Sequence, residues 1–160
     1  MNKQYINGRW VEAIDGNRFD LVNPATEELL HTISYGNGKD CVMAIEAAQI
    51  AFMKWRLTTP YNRAAILKKA ADHLREHLDE IARDMVLESG KPLAEARGEF
   101  MVAANLFEWY AEEGKRAYGK VIPTNRPDKR SSVILQPMGV IGVITAWNFP
   151  AYNPARAWAA

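Results

Sequence analysis

A six-residue apolar run, Val140-Ile141-Gly142-Val143-Ile144-Thr145, constrains the fold of this chain more than any other segment. Apolar residues occupy both alternations, so a strand formed here has no face suited to water. Strands that are buried on both faces belong to parallel sheets covered by helices on each side. The sequence therefore predicts an α/β protein in which residues 140–145 form the first strand of an open parallel sheet.

The chain offers this strand no parallel neighbour. No strand–helix–strand pattern follows residue 145, and the last five residues, RAWAA, belong to a predicted helix that begins near Pro154. We therefore interpret the 160 residues as the amino-terminal part of a longer protein whose nucleotide-type domain is incomplete.

Short β-prone segments precede residue 40. Asn7-Gly8 lies between two such segments, and this dipeptide is the strongest short signal for a hairpin. Residues 18–22 and 29–35 are two further strand candidates, and the segment from Asn23 to Thr26 between them has the residues of a turn.

Apolar residues at helical spacing then predict three or four amphipathic helices over residues 40–118. Asp40 is the expected cap of the first helix, and Thr59-Pro60 the start of the second. The second helix is predicted to run to Gly90, and Pro92 to open the next. The aromatic residues on these faces are predicted to lie in the core. The apolar face of the first helix comprises Val42, Ile45, Gln49, Phe52 and Met53.

Three prolines surround the sequence SSVIL in residues 120–137, which predicts an extended excursion with one edge strand. The expected divisions are thus residues 1–119, a β-arm with helices; residues 120–137, the excursion; and residues 138–160, the start of the parallel-sheet core.

Composition excludes several classes of partner. Twenty basic and nineteen acidic residues leave a net charge of +1, so neither nucleic acid nor an anionic membrane is expected to bind. One cysteine permits no internal disulfide and suits a reducing compartment. The uncharged stretch between Arg130 and Arg156 is interrupted by three prolines, which argues against a membrane-spanning helix. Because no signal peptide is visible, we expect a cytoplasmic protein.

Two motifs suggest chemistry that we do not expect. Residues 73–77, HLREH, fit an inverted zinc-protease pattern, but His31 is the only other histidine and the segment resembles a solvated helix face. We predict no metal site. Cys41 is predicted to be a packed or bystander thiol, and four glutamates to be solvated charges that pair with nearby basic residues: Glu95, Glu99, Glu112 and Glu113.

The loop after residue 145 is the remaining candidate site, since ligands bind beyond the carboxyl ends of parallel strands. Neither of the usual glycine-rich phosphate-binding motifs is present in the chain. Asn148 stands in this loop with an amide that can donate to a developing oxyanion. A turn-forming asparagine is the equally weighted alternative.

The segments QPMGV (136–140) and GVITAWNFP (142–150) closely resemble the part of NAD(P)-dependent aldehyde dehydrogenases that enters the cofactor domain. Landmarks in the order of that family run along the whole chain: YINGRW (5–10), VNPAT (22–26), ESGKP (88–92), and YG with IP (118–123).

This resemblance implies the amino-terminal portion of the aldehyde dehydrogenase fold and a specific set of roles. Asn148 corresponds to the residue that donates its amide to a thiohemiacetal oxyanion, and Phe149 to a wall of the aldehyde tunnel. The stretch that would line NAD or NADP is Ile144, Thr145, Ala146, Trp147 and Asn148. Ala146 replaces the proline usual in the family, which leaves the backbone less restrained there.

The resemblance also places the nucleophilic cysteine and the general-base glutamate beyond this chain, so Cys41 does not correspond to the nucleophile. Residues 120–137 resemble the strand pair through which family members form homodimers or homotetramers. The small-molecule partner implied is an aldehyde, which is oxidised to the acid.

Arg156 matches an arginine that holds the substrate carboxylate in succinate-semialdehyde-type members. Members that act on hydroxyaldehydes also carry arginine there, and a structural ion pair is a further alternative. The rival from another functional class is a non-catalytic helical interaction module or an inactive fragment.

Overall fold

A computed structural model describes residues 2–160, which fold into three β-hairpins and five α-helices. The elements in chain order are β1 (Gln4–Ile6), β2 (Arg9–Val11), β3 (Arg18–Val22), β4 (Leu29–Ser34), α1 (Gly38–Trp55), α2 (Pro60–Glu76), α3 (Leu78–Ser89), α4 (Leu93–Glu113), a 3₁₀ turn (Gly114–Arg116), β5 (Lys120–Ile122), β6 (Ser131–Val133) and α5 (Tyr152–Ala159).

The two amino-terminal hairpins confirm the turn chemistry predicted from the sequence. Asn7 and Gly8 have φ of 53° and 75°, the two positive values that a type I′ hairpin turn requires. They join β1 to β2, with Gln4 opposite Val11. The antiparallel β3–β4 pair carries an irregularity of register between Leu21 and Val22.

The N-cap of helix α1 lies three residues before the predicted cap. Asn37 is the N-cap: its side chain accepts a hydrogen bond from the Lys39 N–H, and the Asp40 carboxylate accepts one from the Asn37 N–H. The prediction that Asp40 caps the helix is therefore wrong, because Asp40 is the reciprocal partner in a capping box. The Asn37 N–H, helped by that of Ile14, holds the pKa of Asp40 below its usual value against the opposing effect of burial.

The second predicted helix is two helices. Thr59 caps α2 as predicted, and Gly90 ends α3 in the left-handed region at φ 71°. Between them His77, with φ −103° and ψ 13°, interrupts the helix. The apolar spacing continues across this break, so periodicity cannot reveal it. The bend allows α2 and α3 each to pack against α4.

Small residues line the helix interfaces. Helix α4 packs against α2, α3 and α5, and the buried apolar side chains are mostly alanines, which allow helix backbones to approach closely. The buried apolar residues of these helices are Ala64, Ala71, Ala82, Met85, Ala96, Ala103, Ala104, Ala111, Ala155 and Ala159. The partly buried Phe100 and Ala151 pack against the cluster of Ala82, Met85 and Ala96.

Helix α1 does not bury the apolar face that its sequence presents. Val42, Ile45 and Met53 remain 52–54% exposed. Contiguous apolar surface of this kind usually contacts another protein surface. No helix within residues 2–160 combines the length and the apolar character needed to cross a membrane.

Residues 140–145 do not form the predicted strand. The segment has no regular secondary structure, and Ile141, Val143 and Ile144 are exposed. The physical reason is the lack of a pairing partner: the strands of residues 2–160 form three separate antiparallel pairs, so no parallel sheet is available. The α/β character holds without that strand, because helices and strands both remain in the described residues. In the excursion, β5 pairs with β6, so it contains two strands where the proline pattern predicted one, and a strand pair is what the resemblance implied.

Candidate functional site

Residues 146–151 form an irregular turn that leads into α5 and carries Asn148. Ala151, at its end, packs against the core cluster between α3 and α4. At its start, the Asn153 side-chain amide donates to the Ala146 carbonyl at 3.2 Å, and the Asn153 N–H donates to the Phe149 carbonyl at 3.1 Å. The turn is therefore anchored to both α5 and the helical core.

Glu99 of α4 binds the other end of the turn. Its side chain is only 2% exposed, and Oε1 accepts hydrogen bonds from the N–H groups of Ala151 at 2.7 Å and Tyr152 at 3.0 Å. These groups lie at the start of α5, where N–H groups lack partners within the helix and a negative charge is favoured. Ala151 has no side chain that can cap α5, so Glu99 supplies the acceptor from a different helix.

Lys91, in the connection between α3 and α4, links Glu99 to the middle of the turn. Its ammonium forms an ion pair with Glu99 Oε2 and donates to the Asn148 carbonyl at 2.9 Å. Nζ also lies 4.5 Å from the centroid of the Phe149 ring, within the range of a cation–π interaction. We call this pair, Lys91 and Glu99, the clamp.

The clamp holds Asn148 by its backbone. Within residues 2–160, the hydrogen bond of Asn148 is made by its carbonyl, and its side-chain amide makes none. The residue is exposed. A fixed backbone with an uncommitted amide is an arrangement suited to donating a hydrogen bond to a ligand.

The other predicted site residues line three different cavities. Ile144, Thr145 and Ala146 line one together with Arg156. Phe149 lines a second with Lys91, Glu99 and Tyr152. Trp147 lines a third, an apolar groove that also contains Met85 and Trp158. The structure thus brings Arg156 into one cavity with three of the five predicted cofactor residues, and it does not bring Arg156 and Phe149 into one cavity.

Arg156 lies on α5 without a carboxylate partner. Its guanidinium carbon is 5.7 Å from the centroid of the Tyr152 ring, one helical turn earlier. In the part of the chain that the structure describes, Arg156 forms no ion pair. The structural ion pair considered from the sequence therefore has no partner among these residues.

The cavity beside Arg156 is the candidate for one part of a dinucleotide. Val143, Ile144 and Ala146 line it together with the polar side chains of Thr145, Asn153 and Arg156, and more of its lining is polar than apolar. Cofactor sites are usually lined mostly by apolar groups, and this cavity offers few of them. The sequence has neither glycine-rich phosphate motif, so these residues fit the group only in part.

Sequence reasoning missed both members of the clamp. Glu99 was predicted to be a solvated charge, and this is wrong because its carboxylate is buried against α5. A signal was present, since Glu99 lies three residues after Ala96 and four before Ala103, on the buried face of α4.

The predicted pairing of Glu112 and Glu113 is confirmed. Lys68 and Lys115 bind Glu112 and lower its pKa to about 2, and Arg116 binds Glu113.

Side chains of the HLREH motif do meet at the helix break. Candidate ligand atoms of His73, Glu76 and His77 lie within 4.8 Å of one another at the exposed end of α2. His77 Nδ1 lies 3.0 Å from the His73 carbonyl and can donate a hydrogen bond to it in the tautomer that carries the hydrogen on Nδ1. His31 is not part of the group. Cys41, which the sequence analysis rejected as a nucleophile, is exposed in the first turn of α1.

We expect purified protein to contain no stoichiometric zinc, and His77→Ala to leave the metal content unchanged. The group offers three ligands at one helix end, and no fourth His, Cys, Asp or Glu of residues 2–160 joins them, whereas a structural zinc site has four ligands. Elemental analysis after dialysis against buffer without chelator measures this. One zinc per chain that disappears in His77→Ala contradicts the prediction.

The sequence model of the aldehyde dehydrogenase family matches residues 10–160. Over 146 residues the chain is 48% identical to the succinate-semialdehyde dehydrogenase [NADP(+)] of Escherichia coli, a match that covers 91% of this chain and 30% of the relative. It is also 48% identical over 147 residues to the glutarate-semialdehyde dehydrogenase of Pseudomonas putida, covering 92% of this chain and 31% of that protein.

The structure is also similar to solved members. A betaine aldehyde dehydrogenase from Staphylococcus aureus in complex with NAD+ superposes with a TM-score of 0.94 at 33% identity, over 99% of this chain and 33% of that one. The chain thus spans about a third of the length of the relatives it matches. With a family match over nearly all of its residues and the same fold in solved members, the chain belongs to the aldehyde dehydrogenase family.

Proposed function

We propose that this chain supplies the oxyanion donor and part of the substrate and cofactor walls of an NAD(P)-dependent aldehyde dehydrogenase. The observation that carries the proposal is the position of Asn148: the backbone is held by Lys91, and the amide is exposed, in a chain of this family. The substrate class proposed is a short aldehyde that carries a carboxylate.

Asn148 has the chemistry that aldehyde oxidation requires. When a thiolate from outside these residues attacks the aldehyde carbon, negative charge develops on the oxygen. An amide already in place stabilises that charge at little reorganisation cost. A bound nicotinamide supplies the hydride acceptor. The residues proposed to line it are Ile144 to Asn148, and the first three of them line one cavity with Arg156.

The proposed substrates are succinic and glutaric semialdehyde, the compounds in the names of two relatives. Each has a carboxylate at one end and an aldehyde at the other. Arg156 forms no ion pair within residues 2–160, so its guanidinium is available to bind that carboxylate with two hydrogen bonds. We assign Phe149 to the aldehyde tunnel, although its cavity is separate from that of Arg156.

The remaining parts of the proposal concern assembly and location. Val121 of the β5–β6 pair is exposed, and so are Ile134 and Leu135, which directly follow β6. Apolar surface of this kind suits contact with other subunits of a homodimer or homotetramer. We propose the divisions after residues 119 and 137, because β5 begins at Lys120 and β6 ends at Val133, four residues before the second division. A free exposed thiol at Cys41 is compatible with the cytoplasm.

The test uses a chimera in which residues 1–160 are followed by the part of the E. coli relative that lies beyond the match. We expect the chimera to oxidise succinic semialdehyde, with NAD+ or NADP+ reduction followed by absorbance. We expect no such turnover from residues 1–160 alone, because the nucleophile is proposed to lie outside them. A folded chimera without turnover, or turnover by the isolated chain, contradicts the proposal; the first result favours the non-catalytic interaction module.

A further inference from the structure

We propose that the clamp, Lys91 with Glu99, is a positioning device that sets where the Asn148 amide points during the reaction. This inference rests on the proposed function of Asn148. It adds two residues remote in sequence from the loop, Lys91 just before α4 and Glu99 on α4, that act on the chemistry through the turn.

The contacts of the clamp extend from Asn148 to the first residue of α5. Lys91 binds the carbonyl of Asn148 and lies over the ring of Phe149. Glu99 binds the N–H groups of Ala151 and Tyr152, two and three residues after Phe149. The backbone on the carboxyl side of Asn148 is thereby fixed at both ends, which leaves the side-chain torsions as the main freedom of the amide.

Charge is needed at both members of the clamp. Glu99 Oε1 already accepts two N–H groups while Oε2 accepts the ammonium, so both oxygens are engaged. The Lys91 ammonium has three N–H donors, and it donates to the Glu99 carboxylate and to the Asn148 carbonyl. Buried ion pairs often add little net stability, because removing two charges from water is costly. A pair that binds three backbone groups of one turn is better explained by the geometry it enforces than by stability.

The first arm of the test is Lys91→Met in the chimera. We expect kcat with succinic semialdehyde to fall on the order of 10- to 100-fold with little change in KM, because small misplacement of a reacting group has effects of that size. The matched control is Lys115→Met. Lys115 also pairs with a glutamate, Glu112, and lies near an aromatic ring, that of Tyr61, but it does not contact the turn. The control is expected to keep the parent kcat.

The second arm repeats Lys91→Met in an Asn148→Ala background. If Lys91 acts through the amide of Asn148, its removal lowers kcat by less than about twofold once that amide is gone, because coupled residues are non-additive. A merely structural role gives the same loss in both backgrounds, and that result overturns the proposal.

The third arm does not depend on activity. We expect hydrogen exchange of the peptide containing residues 146–152 to accelerate in Lys91→Met and to stay unchanged in Lys115→Met, since local opening becomes easier when the anchoring bonds are lost. Should Lys91→Met fail to fold, Glu99→Gln replaces it in every arm, because glutamine keeps one acceptor for α5 and removes the charge that Lys91 needs.

The outcomes separate this proposal from the one it rests on. Full turnover in Asn148→Ala contradicts the proposed role of Asn148 and, with it, the catalytic consequence of the clamp; accelerated exchange in Lys91→Met then still identifies a structural anchor. A slow Asn148→Ala variant together with parent kcat and parent exchange in Lys91→Met overturns the clamp alone.

Discussion

Replacing Asn148 with alanine in the chimera is expected to lower kcat on the order of 100- to 1000-fold, or about 2.7–4 kcal/mol of barrier, the usual cost of losing one oxyanion donor. The oxyanion exists only after nucleophilic attack, so the loss is expected in the chemical step and in kcat/KM alike, with substrate affinity preserved. Steady-state and single-turnover kinetics with succinic semialdehyde measure it. The fold is expected to persist, because Asn148 binds Lys91 through its backbone carbonyl, which alanine retains.

Asn105→Ala is the matched control for this substitution. It removes the same amide from the exposed surface of α4, where the side chain accepts a hydrogen bond from Arg75 at 3.0 Å. We expect this variant to keep the parent rate. Full turnover in Asn148→Ala, or a failure of that variant to fold, instead favours the role of a turn-forming asparagine.

Replacing Arg156 with alanine is expected to lower kcat/KM for succinic semialdehyde by one to two decades. Hydrogen bonds to charged groups are worth roughly 1.5–3 kcal/mol, and a guanidinium offers two of them to one carboxylate. The loss is expected to be absent with an uncharged aldehyde of similar length. Arg156→Lys is expected to lie between the parent and alanine, because lysine supplies charge without the planar pair of donors.

The comparison between the two aldehydes identifies the role of Arg156. A structural arginine affects both substrates alike, so equal losses remove Arg156 from the substrate site. Arg97→Ala is a suitable control, since Arg97 pairs with Asp79 on the exposed surface at 2.6 Å. Because a single exposed ion pair contributes little, this control is expected to keep the parent selectivity and rate.

Local signals in the sequence predicted the parts of the fold that local physics determines. The Asn7-Gly8 turn, the Thr59 cap and the left-handed Gly90 each depend on the conformational preference of one or two residues. The break at His77 could not be predicted in this way, because the apolar spacing is the same on both sides of it. It depends on how α2 and α3 pack against α4.

The strand predicted at 140–145 failed for a different reason. Its apolar pattern describes what the segment requires, namely burial on both faces, whereas a strand also needs hydrogen-bonding neighbours. Residues 2–160 supply none. At the site, the sequence identified Asn148 by its loop and by family resemblance. It missed Lys91 and Glu99 because their contacts with the loop span more than fifty residues of sequence.

The clamp holds the turn through main-chain atoms, and this has a consequence for how such an enzyme can diverge. The identity of the side chain at residue 148, 151 or 152 does not enter the hydrogen bonds that Lys91 and Glu99 make. Substitutions that reshape the neighbouring pocket can therefore accumulate while the course of the backbone is retained. Substrate range and catalytic geometry would then be inherited as separate traits. New specificities would arise from side chains of the turn, while Lys91 and Glu99 keep its backbone in the geometry that the chemistry needs.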